Sequence, residues 1–74
     1  MGEAEVLDAC GLSCPMPAML ARRALLSKQR GVIEVLVDNA ASSENVARTA
    51  RREGWTAEIH TEVGGRFRLR LSRQ

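Results

Sequence analysis

Tyrosine is absent from this 74-residue chain, which holds one tryptophan, one phenylalanine and one histidine. Leu, Val, Ile, Ala and Met must therefore build the core, which suits a small two-layer domain and argues against a large enclosed active site. The length allows one domain, residues 1–74, burying only ~60–65% of the surface its unfolded form exposes. Two cysteines are too few for a secreted disulfide scaffold. Met1 is read as leading directly into a strand, without the charged and apolar regions of a signal peptide, so the expected location is cytoplasmic. No apolar run approaches the ~20 residues that span a bilayer, and internal repeats and low-complexity tracts are missing.

Charge is unevenly spread beneath a net +2. Residues 1–44 carry six acidic and four basic side chains, whereas residues 45–74 carry three acidic and seven basic ones. A basic half can serve a nucleic acid or an acidic protein. The near absence of aromatics among these basic residues, with Trp55 and Phe67 both read as core, argues against base stacking and for protein docking.

Six elements follow from the pattern. Val6 and Leu7 form β1, and Asp8 to Ser13 make a loop containing Gly11. Helix α1 follows, with Cys14 as its N-cap, Pro15 at the first helical position, Pro17 tolerated in the first turn, and an end near Lys28. Met16, Leu20 and Ala24, flanked by Ala21 and Leu25, are its expected core stripe; Arg22 and Arg23 face outward. Ile33, Val35 and Val37 alternate with Glu34 and Leu36 as β2, which implies a crossover between parallel strands. The polar run 38–43 offers several caps for α2, which continues to Glu53 with Gly54 just beyond. Val46, Ala47 and Ala50 are its inward face, and Glu44 and Arg48 an i,i+4 pair.

Trp55, Ala57, Ile59 and Thr61 define one face of β3, and Phe67, Leu69 and Leu71 one face of β4. A two-residue Gly64-Gly65 turn would set Glu62 opposite Phe67 and mismatch those faces. A three-residue loop, Val63-Gly64-Gly65, sets Glu62 opposite Arg66 and Glu58 opposite Arg70. Arg66, Arg68 and Arg70 then form a solvated row, partly neutralised across strands.

The residue carrying chemistry is Cys14, in Gly11-Leu12-Ser13-Cys14-Pro15-Met16-Pro17. A thiol at a helix N-terminus meets free N–H groups and the positive end of the helix dipole, which favour the nucleophilic thiolate. Asp8 is expected to organise the loop, because a carboxylate close to the sulfur would oppose ionisation. Ser13 and Met16 are further neighbours. His60 reads as a solvated residue on a strand face.

Leu7-Asp8-Ala9, the Gly-Leu-x-Cys-Pro-x-Pro stretch 11–17, Val37-Asp38-Asn39 and Glu44-Asn45-Val46 together resemble the TusA/SirA/YedF family of small sulfur-carrier proteins over nearly the whole chain. The resemblance implies an α/β two-layer sandwich, β-α-β-α-β-β, with a mixed four-stranded sheet in order 1-2-4-3 and both helices on one face. It further implies that Cys14 carries sulfur as a covalent persulfide with no other cofactor. Sulfur would come from a cysteine desulfurase or rhodanese-type donor and pass to an acceptor protein in thiolation, cofactor assembly or sulfur oxidation. The motif residues Asp8, Gly11, Leu12, Ser13, Pro15, Met16 and Pro17 would shape this site, with Arg22, Arg23, Arg48, Arg51 and Arg52 as docking surface on a monomer. Two alternatives stand beside it: a selenium carrier of the YedF type, and a non-catalytic regulatory or RNA-binding module.

Cys10 departs from the family pattern, in which Arg or another residue commonly follows Asp-Ala. Three readings are open: a small residue without a role, a resolving thiol for Cys14, and half of a soft-metal site. They stand in that order. The last needs more ligands: Cys10, Cys14 and Met16 could bind Cu(I), but zinc takes four and only His60 is available to add to the two thiols, and no metal is expected.

Overall fold

Alternation of branched apolar residues builds a sheet that is dry on one face. Ile33, Val35 and Val37 of β2 (Gly31–Val37) are fully buried, as are Leu69 and Leu71 of β4 (Arg66–Arg73). The computed structural model describes residues 5–74, and the expectation that Met1 leads straight into a strand lies outside them. The remaining elements are β1 (Glu5–Asp8), α1 (Met16–Lys28), α2 (Ala40–Arg52) and β3 (Thr56–Glu62). The sheet order is β1-β2-β4-β3, with β1 parallel to β2 and the other pairs antiparallel. Both helices cover the apolar face: α1 packs on α2 and β2, and α2 on β3 and β4. This is the expected mixed four-stranded sandwich, order included.

The hairpin register is the expected one. Glu62 lies opposite Arg66 and Glu58 opposite Arg70, and Gly65 takes φ +77° where a side chain would be strained. On the open face Glu34 sits between Arg68 and Arg70, at 3.8 and 3.4 Å, while Arg68 reaches Glu62 at 2.8 Å. Arg68 is thus laced to carboxylates of both neighbouring strands, and Arg70 to Glu34 of β2.

Three expectations are corrected. Helix α1 is capped by Pro15 instead of Cys14, and its buried stripe is Pro17, Ala21 and Leu25; Met16 is 41% exposed, while Leu20 and Ala24 are half-buried beside the stripe. Two adjacent apolar rows, 16/20/24 and 17/21/25, lie side by side on the helix, and the second, with the small Ala21 at its centre, is the one that packs inward. Ile59 is on the expected face of β3 but 40% exposed, because β3 is an edge strand at the margin of the helical layer. Arg48 turns to Asn45 at 3.2 Å in place of a pairing with Glu44.

The cap of α2 is resolved: Asn39 Oδ1 accepts the Ser42 N–H at 2.8 Å. Val46, Ala47 and Ala50 are buried as expected, joined by Ser42 and Ser43. Arg22 of α1 bonds Glu53 at the end of α2, Nε to Oε2 at 3.0 Å, and ties the two helices together.

Candidate functional site around Cys14

Two aspartates at the carboxyl ends of adjacent parallel strands hold the loop that carries Cys14. Asp8 Oδ1 accepts the Cys10 N–H at 3.0 Å, and Asp38 Oδ2 accepts the Gly11 N–H at 2.7 Å. The first bond is the two-residue side-chain turn that aspartate favours after a strand. The second crosses from β1 to the end of β2 and holds Gly11, at φ +81°, against it. Ala9 is buried and extends the ladder through its N–H to Leu36 O at 2.8 Å. Leu12 is half-buried against the core. The first part of the loop is therefore fixed, and Cys14 beyond it is exposed to solvent.

The first turn of α1 offers few donors. Pro15 and Pro17 have no N–H, and the Met16 N–H is taken by Ser13 O at 2.9 Å. This helix terminus therefore offers an anion fewer free N–H groups than the sequence pattern predicts. The Cys14–Pro15 peptide is cis. The donor that does reach the sulfur comes from the other helix: Asn45 Nδ2 lies 3.6 Å from Cys14 Sγ.

Cys10 has a different environment. It is half-buried, and burial first, then the hydrogen bond and charge of Asp8, push its thiol above the ordinary range. Asp8 shifts oppositely, held low chiefly by the Cys10 backbone N–H and then by the Cys10 thiol. Arg66, at the start of β4, is near enough to favour the anionic form of both groups. Cys10 is accordingly kept protonated beside a carboxylate, while Cys14 stands apart in the open.

The structure gathers Asp8, Cys10, Gly11, Leu12, Ser13, Cys14, Pro15 and Met16 into one loop and the first helical turn. Pro17 belongs to the core. The five arginines do not form one patch. Arg22 is engaged by Glu53, and Arg51 donates to Ala57 O at 3.0 Å. Arg48 adjoins the sulfur through Asn45, while Arg23 and Arg52 are exposed. An open groove of about 310 Å³ between β1 and α1 touches Asp8 and Arg23 but not Cys14. Among the described residues no group of three or more His, Cys, Asp or Glu side chains is placed to hold a metal ion.

Asn45 and Asp38 had no role in the sequence reading, although Glu44-Asn45-Val46 and Val37-Asp38-Asn39 stood out as motifs. Those motifs were the available signal; the long-range contacts were not.

Comparison with known proteins converges on one group. The family profile described as sulfurtransferase TusA matches residues 5–73. A curated relative from Methanocaldococcus jannaschii, bearing the name "Putative sulfur carrier protein", is 34% identical over 64 residues, 85% of each chain. The crystal structure of a SirA-like protein from Desulfitobacterium hafniense superposes with a TM-score of 0.85 at 32% identity, covering 90% of this chain and 93% of that one.

Proposed function

This chain belongs to the TusA sulfurtransferase family, and from that membership we propose that it is a sulfur-relay carrier whose cargo rides on Cys14. In loading, the Cys14 thiolate attacks the outer sulfur of a donor persulfide; a new S–S bond forms, the old one breaks, and the donor thiolate leaves. In delivery, an acceptor thiolate attacks the terminal sulfur; a new S–S bond forms to the acceptor, the bond to Cys14 breaks, and its electron pair returns to Cys14. Each step exchanges one sulfur–sulfur bond and is redox neutral. The observation that carries this reading is the contrast between two thiols four residues apart: Cys14 exposed on a fixed loop, Cys10 half-buried and held protonated by burial and Asp8.

Donor and acceptor proteins would dock around the sulfur on α1. Met16 and Met19 are 41% and 56% exposed beside it, and the helix carries Arg22, Arg23 and Lys28 with no acidic residue. Adaptable thioethers framed by positive charge suit apolar, acidic partner surfaces. The carboxylates laced through the arginine row on the open sheet face favour this protein-docking role over a nucleic-acid one.

The test is intact-protein mass spectrometry after incubation with a cysteine desulfurase and cysteine without reductant. Wild type and Cys10→Ser are expected to gain a reductant-labile adduct of about 32 Da, and Cys14→Ser none. An adduct that persists in Cys14→Ser, or one that needs Cys10, would overturn the assignment.

A further inference from the structure

Asn45 is the one side chain with a hydrogen-bond donor on Cys14 among the described contacts, and its orientation is set from behind. Its Nδ2 lies 3.6 Å from Cys14 Sγ, and its Oδ1 accepts from Arg48 Nη1 at 3.2 Å. An amide side chain has two possible orientations, which differ in whether N–H or C=O faces a given neighbour. Arginine only donates, so Arg48 binds the oxygen and leaves the NH₂ group facing the sulfur. Asn45 and Arg48 are three residues apart and share one side of α2, where such pairs meet. The arrangement supplies from α2 the donor that the prolines withhold from α1.

We propose that Asn45 is a catalytic residue of the relay, favouring delivery over loading by stabilising the departing Cys14 thiolate, and that Arg48 is the positioning residue that selects its amide orientation. The kinetic part rests on the carrier reading; the contact with the thiolate does not.

The asymmetry comes from the chemistry of exchange. In loading, a hydrogen bond to Cys14 raises its thiolate fraction but lowers the nucleophilicity of that thiolate, and the two effects largely offset. In delivery, Cys14 is the leaving group: the acceptor forms its bond to the terminal sulfur, the S–S bond breaks, and the electron pair collects on Sγ 3.6 Å from the Asn45 N–H. Stabilising a leaving thiolate speeds its departure with no opposing loss. Hydrogen bonds to charged acceptors are among the stronger ones in proteins, so the benefit falls chiefly on delivery.

The variants are Asn45→Ala, Asn45→Asp, Arg48→Ala and the double alanine, each checked for an unchanged circular-dichroism spectrum. The first measurement is the alkylation rate of Cys14 by iodoacetamide at one fixed pH about two units above the free cysteine value, where thiols are ionised and only the nucleophilicity of the sulfur counts; it needs no sulfur chemistry, and Asn45→Ala is expected to react faster than wild type because its thiolate has lost a hydrogen bond. The second is single-turnover transfer from persulfidated protein to a small-molecule thiol, with loading followed separately. Asn45→Ala is expected to slow delivery about five- to tenfold and loading less than about twofold. Asn45→Asp, closest to asparagine in shape, should be slower than Asn45→Ala in delivery, because a carboxylate then faces the developing thiolate. Arg48→Ala should slow delivery in the wild-type background and have little further effect in Asn45→Ala.

A purely structural role would leave Asn45→Asp nearest to wild type, and that ordering would overturn the proposal. So would equal slowing of loading and delivery, or an Arg48→Ala effect undiminished without Asn45. If no variant or wild type accepts sulfur, the carrier reading fails; altered alkylation rates would then still register the contact, and unaltered ones would remove it as well.

Discussion

At the scale of single residues, two carboxylates and one amide decide how two thiols differ. Asp8 is held below the usual aspartate range, first by the Cys10 backbone N–H and then by its thiol. A lowered folded value means that the carboxylate adds stability above the ordinary aspartate range, and that this contribution fades as pH falls through the lowered value. Asp8→Ala is therefore expected to reduce the urea midpoint near pH 7, with the difference from wild type shrinking as the pH falls below the ordinary aspartate range. A pH-independent difference would show that the carboxylate charge is not what holds the loop. The same substitution removes a cause of the raised Cys10 value and should speed Cys10 alkylation, with burial still restraining it. The place of Cys14 between loop and helix, and the loop role of Asp8, were legible in the sequence, because strand, glycine loop and proline-marked helix are neighbours along it. Asp38 and Asn45 were not, since their bonds span 27 and 31 residues and depend on how β2 and α2 settle against the loop.

Among the elements, the two helices start by different means. Helix α2 has a side-chain cap from Asn39, whose Nδ2 also donates to Asp38 Oδ1 at 3.1 Å. Removing it in Asn39→Ala should cost about 1 kcal/mol in urea or thermal unfolding. Asn39→Asp should recover only part of that loss, because it restores the capping oxygen but sets a second carboxylate beside Asp38. Helix α1 has no side-chain cap and starts on prolines, where capping rules give no unique first residue. Two adjacent apolar rows, 16/20/24 and 17/21/25, lie side by side on α1, and periodicity alone does not choose between them; Pro17, Ala21 and Leu25 are the row that is buried, while Met16 is exposed. The β3–β4 register was readable because parity is strict: a loop of the wrong length would turn a whole row of side chains to the other face. Ile59 shows the limit of parity, which assigns a face but not the extent of helical cover above it.

For the whole molecule, the architecture was legible and its margins were not. Typical per-residue stabilities give a chain of this length about 4–11 kcal/mol in all. Leu69 is fully buried at the centre of the sheet, and Leu69→Ala should cost about 2–5 kcal/mol, a large share of that total. Val63→Ala, at the 97% exposed tip of the hairpin, should change stability by less than about 0.5 kcal/mol. Chemical denaturation of the pair measures both, and similar losses would mean that the sheet interior does not hold the fold. Size has one more consequence. The described surface is 4812 Å², and a standard protein interface covers about 800 Å² on each partner. Two interfaces of that size centred on the same exposed sulfur must overlap. Under the proposed carrier function, supplier and recipient therefore take turns at a single berth, and traffic through the relay should peak at an intermediate supplier concentration, since a crowd of suppliers queues in the recipient's place.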